Sequence, residues 1–188
     1  MYHIPADKRA INSANLIAEG LMKCLKQKDF SKISITDINK VSFVSRATFY
    51  RLFDNTIDVL SYKCDQMFER LIHDFEHMDI QSSNEFLIYF IKQSMEHELL
   101  FETISTSNHI DILYASHMKY KNSLKEKFLS ECVLTDSQMD CVISVLSVSL
   151  CSILNMWIKN GRIETPQQLY LDIKECFKCL NHMLHFNA

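Results

Sequence analysis

Two short stretches carry side chains that could do chemistry. Near the carboxyl end, ECFKCLNHMLH sets Cys176, Cys179, His182 and His185 three residues apart. Thiols and imidazoles in such a string resemble a zinc site on paper. Near the amino end, SRATFYRLF (45–53) sets two arginines among two phenylalanines and a tyrosine. Guanidinium and phenol groups on one short helix suit the recognition of phosphates and base edges.

The first string fails on geometry. On one helix each step of three lags a full turn by ~60° and climbs ~4.5 Å. The four side chains then spread over half the circumference, too far apart for one tetrahedral ion. No metal is expected; these side chains are expected to serve ordinary packing, with the histidines exposed. Cys176 and Cys179 remain a pair that outside ligands or an oxidant could use. No Gly-rich phosphate loop, H-E-x-x-H or nucleophile elbow occurs, so neither enzyme activity nor a cofactor is expected.

The elements that position the arginines are helices. Two glycines and two prolines in 188 residues leave little punctuation for hairpins. The apolar share of 47% and charged share of 23% are those of a globular chain. An all-α chain of about nine helices is expected. Seven cysteines follow a polar start, MYHIPADKRA, which reads as a cytoplasmic protein with reduced thiols. No run is read as reaching the ~18–20 apolar residues of a membrane span. Charge is uneven: residues 1–56 hold nine Lys/Arg and five Asp/Glu, the rest 11 and 18. A basic head on an acidic body suggests a polyanion touched at one end.

Apolar spacing predicts a first helix over about 7–27. Ser34 and Asp37 form a capping box opening a second helix to about 41. Ser45 is the N-cap of a third over 46–53, and Asp54 or Asn55 caps a long fourth to about 78. Helices at 84–97, 99–106 and 110–131 follow. Thr135 with Gln138 opens one that ends at Gly161, and Thr165-Pro166 opens the last, to about 186. The chain divides into a head, residues 1–54, and a body, residues 55–188.

The second and third helices have helix-turn-helix spacing, in which the later helix enters the major groove. Phe49 and Phe53 share a face that packs inward, turning Arg46, Ala47, Thr48, Tyr50 and Arg51 outward. A head of this kind could equally bind a protein. Residues 8–60 resemble the DNA-binding domain of the tetracycline-repressor (TetR/AcrR) family, through Ser34 with Asp37-Ile38, Val44-Ser45 and Thr48-x-Tyr50-x-x-Phe53. The resemblance implies that Ser45, Arg46, Ala47 and Thr48 face bases or adjoining phosphates. It implies a phosphate bond for Tyr50, a phosphate role for Ser34 beside its cap, and an electrostatic one for Arg51. Arg46 is the candidate to grip guanine O6 and N7. Three positions depart from the family pattern. Phe43 stands at the usual turn glycine and must either absorb left-handed strain or plug the helices. Leu52 and Thr56 replace expected phosphate partners.

The last two helices are apolar around much of their circumference, from Val142 to Ile158 and from Leu169 to Leu184. Either they are buried within one subunit or they build a four-helix dimer interface, as the resemblance implies. An effector pocket for an unknown small molecule is expected from Phe68, Ile72, Phe75, Tyr89, Phe101, Met118 and Trp157, with polar handles from His73, Asn108, His109 and Tyr114. The expectation is a homodimeric, ligand-responsive regulator, a repressor binding a (pseudo)palindromic double-stranded DNA operator. The alternatives are a helical interaction module with a DNA-incompetent head and a thiol- or metal-responsive regulator.

Overall fold

The computed structural model describes residues 2–77, 83–128 and 133–185. Among them are ten α-helices, a single 3-10 turn at Phe30–Lys32, and no strand. The helices are α1 (Lys8–Leu25), α2 (Ile35–Ser42), α3 (Arg46–Leu52), α4 (Thr56–His77), α5 (Ser83–Glu96), α6 (Glu98–Thr106), α7 (Ile110–Lys119), α8 (Lys121–Phe128), α9 (Asp136–Lys159) and α10 (Pro166–His185).

The all-α expectation holds, and the starts follow the caps. Asp7 accepts from the N–H groups of Arg9 and Ala10 to begin α1. Ser34 and Asp37 close their capping box reciprocally, as do Thr135 and Gln138. Asn55, rather than Asp54, caps α4, its Oδ1 accepting from Asp58 N–H at 2.9 Å. The expected ends near 78, 131 and 186 lie outside the described residues. One helix expected over 110–131 is two. The chain breaks at Tyr120, whose N–H turns to the carbonyls of His117 and Met118. Either side of that break, Lys119 pairs with Asp65 on α4 and Lys121 with Asp140 on α9.

The membrane reading also needs correcting. By length and composition α9 could span a bilayer, with mean hydropathy 2.0 over its most apolar 18 residues. In the fold its Met139, Ile143, Leu150, Leu154 and Trp157 are buried at helical spacing, and it packs on α6 and α7.

α1 is the hub of the head, packing on α2, α3 and α4. At Gly20 a Cβ would lie 3.0 Å from Ser42 Cβ and 3.2 Å from the Ile38 carbonyl oxygen, so any side chain here would press α1 against α2. A polar ladder ties α1 to α4. Asn15 Oδ1 accepts from the Tyr62 hydroxyl at 2.8 Å and from Gln66 at 2.6 Å, and Lys63 donates to Glu19 at 2.6 Å. These bonds tie α4 directly to the head.

The amino-terminal strap adds a second tie. His3 N–H donates to the Leu52 carbonyl at 2.8 Å. The Tyr2 ring packs on Phe53 and Tyr62, and its hydroxyl donates to Asp65 at 2.5 Å. Ser116 donates to the other Asp65 oxygen at 2.7 Å, and Lys119 pairs with the same carboxylate. Burial pulls the Lys119 ammonium down, but Asp65 and Tyr2 outweigh it and raise it. One hydrophobic cluster runs from Ala10 through Phe53 to Trp157, so head and body share a core.

Candidate nucleic-acid interface

α3 is short, and its two sides differ sharply. Phe49 and Leu52 are fully buried, as is Phe53 just beyond the helix end. Phe53 was expected inside the helix; it is the extended C-cap, its N–H still donating to the Phe49 carbonyl. Leu52 stands where a phosphate partner was expected and is core, so that position cannot reach a duplex in this fold. Thr56 is half-buried in the first turn of α4.

The opposite side is open. Ser45, Arg46, Ala47, Tyr50 and Arg51 are exposed and Thr48 is half-buried. Ser45 Oγ accepts from Thr48 N–H at 3.1 Å and lies 3.0 Å from the Thr48 hydroxyl, which fixes the first turn. Arg46 donates to the Tyr50 hydroxyl at 3.3 Å, with its guanidinium carbon 5.5 Å from that ring's centroid. The pair thus stands as one cationic, aromatic unit along the outer edge. Tyr50 is 46% exposed, held by an edge contact to Phe49.

Ser34 stands exposed at the N-terminus of α2. Its hydroxyl donates to Asp37 at 2.6 Å, and Lys28 pairs with the same carboxylate at 2.8 Å. Lys28 first, and then the Ser34 bonds, hold the Asp37 carboxyl far below its usual range. A phosphate here would meet that carboxylate as well as the hydroxyl.

Of the two expectations for Phe43, the structure has the left-handed turn. The residue is no plug between helices: its side chain is 94% exposed. Its backbone is left-handed, φ 58° and ψ 21°, the conformation for which glycine is suited. The strain is tolerated because Val44 beyond it packs on the core and donates its N–H to Ser42 Oγ at 3.3 Å. Phe43→Gly is expected to raise stability by about 0.5–1 kcal/mol, measured as a higher urea midpoint. A lower midpoint would mean that the ring makes stabilising contacts.

None of the seven residues expected around an effector is among the walls of the apolar cleft between α5, α9 and α10. Phe68, Phe101 and Trp157 lie in the main core. Ile72 belongs to a second cluster with Phe75 and Tyr89 packed against it, where the Tyr89 hydroxyl donates to Asp74 at 2.9 Å. Met118 is half-buried on α7. Of the handles, His73 stacks on His77, His109 meets Phe30 edge-on, Asn108 is left-handed at φ 60° and Tyr114 is exposed. That cleft is in the body. It measures about 640 Å³, with walls that include Phe86, Phe90, Leu146, Ile173 and Phe177. Its α9 and α10 residues were read as dimer surface, and the signal that separates the two roles is angular position around each helix.

Cys176, Cys179 and His182 are exposed on the unbroken helix α10. The side chain of His185 is outside the described residues.

No family model matches the sequence. A curated relative from Lactococcus lactis, described as the HTH-type dhaKLM operon transcriptional activator DhaS, is 21% identical over 170 residues, covering 88% of this chain and 89% of that one. A solved structure from Listeria innocua superposes with TM-score 0.73 at 20% identity, covering 95% of this chain and 96% of the other. A dihydroxyacetone kinase operon activator DhaS gives 0.61 at 20% identity, over 90% and 96%. A TetR transcriptional regulator from Streptococcus agalactiae gives 0.59 at 20% identity, over 89% and 96%. The chain therefore has the all-helical fold of a TetR-type transcriptional regulator.

Proposed function

We propose that this protein is a DNA-binding transcriptional regulator that reads a duplex with α3 and acts as a homodimer through α9 and α10. The observation that carries the reading is the two-sided build of α3: Phe49 and Leu52 anchor it, while Arg46, Ala47, Tyr50 and Arg51 face outward. A helix held this way can lie in the major groove with its first residues at the bases. The relatives described as regulators support the same reading.

Each exposed side chain then has a role. Arg46 releases the Tyr50 hydroxyl and takes a base edge, guanine offering it two acceptors. Tyr50, so released, donates to a phosphate. Arg51 supplies charge without reading sequence. Arg46→Ala is expected to flatten base preference at one position of each half-site, by about 1–3 kcal/mol of discrimination. Tyr50→Phe is expected to weaken binding to every sequence alike, roughly fivefold for the hydrogen bond lost in each half-site. Binding profiles over randomised half-sites measure both. Two unchanged profiles would overturn the assignment of α3.

The dimer rests on α10. Leu169 and Tyr170 in its first turns are buried, but Leu180 and Met183 further along are 52% and 67% exposed. Val145, Val148 and Met156 on α9 are likewise exposed. Apolar faces of this extent call for a partner, and two-fold operators suit two-fold proteins. The sequence-based expectation of sign is repression, whereas DhaS, among the relatives, is described as an activator. A reporter gene behind the bound operator reads the sign directly.

A further inference from the structure

We infer that the cleft between α5, α9 and α10 is a binding site for a neutral, mainly apolar small molecule carrying one hydrogen-bond donor, which it gives to His117 Nε2. His117 is the reason. Its side chain is only 3% exposed, yet it forms part of the cleft wall. Its ring is gripped through one nitrogen alone. Nδ1 lies 2.9 Å from the Leu113 carbonyl oxygen, which can only accept, so Nδ1 carries a hydrogen. Ser147 Oγ lies 2.8 Å from the same nitrogen, and its own hydrogen goes to the Ile143 carbonyl at 2.8 Å. The single Nδ1 hydrogen is therefore shared between the Leu113 carbonyl and Ser147 Oγ.

This leaves Nε2 as a lone-pair acceptor with no hydrogen-bond partner among the described residues. Burial pushes the His117 imidazolium down to about 4, so the ring is neutral at physiological pH. Nε2 is open to the cleft, so a ligand that displaces solvent from this acceptor without donating to it loses a hydrogen bond. The rest of the lining selects what that can be. Phe86, Phe90, Ile143, Leu150 and Phe177 suit an apolar or aromatic body, in a volume typical of small-molecule sites.

The cations at the rim do not recruit an acid. Lys178 is already paired with Glu175 at 2.6 Å, and Lys174 stands over the Tyr170 ring at 5.9 Å. A neutral alcohol, phenol or amide N–H fits better than a carboxylate. The cleft borders the face assigned to the partner copy without coinciding with it: Val148 is roughly 140° round α9 from Ile143, whereas Leu180 is only about 60° round α10 from Phe177, and neither Val148 nor Leu180 lines the cleft.

The site is well placed to report its occupancy. Ser116 and Lys119, one and two residues from His117, hold Asp65 on α4, and Lys119 also reaches Tyr2 of the strap. A shift of α7 at the cleft is felt at the joint with the head. Binding itself does not rest on the DNA reading; only its regulatory consequence does.

The test uses 4-hydroxybiphenyl and 4-methoxybiphenyl, which share a ring system and differ in the donor, titrated into the full chain by calorimetry. The expected result is saturable binding of one phenol per chain, roughly fivefold to tenfold tighter than the ether. His117→Leu is expected to erase that preference. Leu146→Trp, at a half-exposed position on the wall, is expected to block both probes and keeps the test open if the histidine variant does not fold. Equal affinity for the two probes, no binding of either, or binding indifferent to Leu146→Trp would overturn the inference. Titration alone decides the site; repeating the DNA assay with the phenol present decides separately whether the site regulates.

Discussion

Phe49→Ala is expected to cost about 3–5 kcal/mol and to abolish DNA binding. Phe49 is fully buried, 5.8 Å ring to ring from Phe53 and edge-on to Tyr50. Truncation removes apolar contact and leaves a cavity that so short a helix cannot close. With Leu52 it anchors α3 to the core, so loss of its ring frees the outer residues from their common orientation. Urea unfolding with a binding assay on the same samples measures both effects. Arg51→Ala is the control. Arg51 is exposed, and its loss is expected to leave stability within about 0.5 kcal/mol while lowering DNA affinity. A Phe49→Ala protein that keeps both stability and binding would show that α3 is not anchored as described.

The second large effect concerns assembly. Val148→Asp with Leu180→Asp is expected to convert a dimer to a monomer and to lower operator affinity by roughly 10²–10⁴, the advantage of engaging two half-sites at once. Both residues are exposed, and neither lines the cleft, so the fold and the probe titrations should survive. Two carboxylates in each facing surface, four in a two-fold interface, would be desolvated without partners, which no apolar contact can offset. Sedimentation velocity and a mobility shift on the same preparation measure the two consequences. A double variant that still sediments as a dimer would place the interface elsewhere.

What could be read from the sequence was local. The boxes of Ser34 with Asp37 and Thr135 with Gln138, and the Ser45 cap, use residues three apart. Chemistry and spacing specify them without tertiary context. The same locality put Arg46 and Tyr50 on one face, because residues four apart on a helix are neighbours. Phe43 could not be read with certainty, since the left-handed turn that glycine usually makes competed with burial of an aromatic ring. The break at Tyr120 carries neither glycine nor proline, so periodicity ran straight through it. Two features were invisible for the opposite reason to the caps. Tyr2, Asp65 and Lys119 meet across more than fifty residues each, and the free nitrogen of His117 exists only because Leu113 and Ser147 take its fellow.

The same contacts describe how the body could govern the head. α1 is bound to α4 by Asn15 and Glu19, and α4 is bound to α7 by Asp65. The route from cleft to α3 is therefore a chain of direct hydrogen bonds and packed rings. A ligand moves that route only to the extent that it binds one arrangement of α7 more tightly than the other.

The account is tested most directly by the salt dependence of operator binding by the intact protein. If α3 with its arginines lies against a duplex, log affinity falls linearly with log salt at a slope of about −0.9 per phosphate neutralised. Arg51→Ala, removing one such contact from each subunit, should then make the slope shallower by roughly two. Affinity that is flat with salt, or a slope that Arg51→Ala leaves untouched, would contradict it.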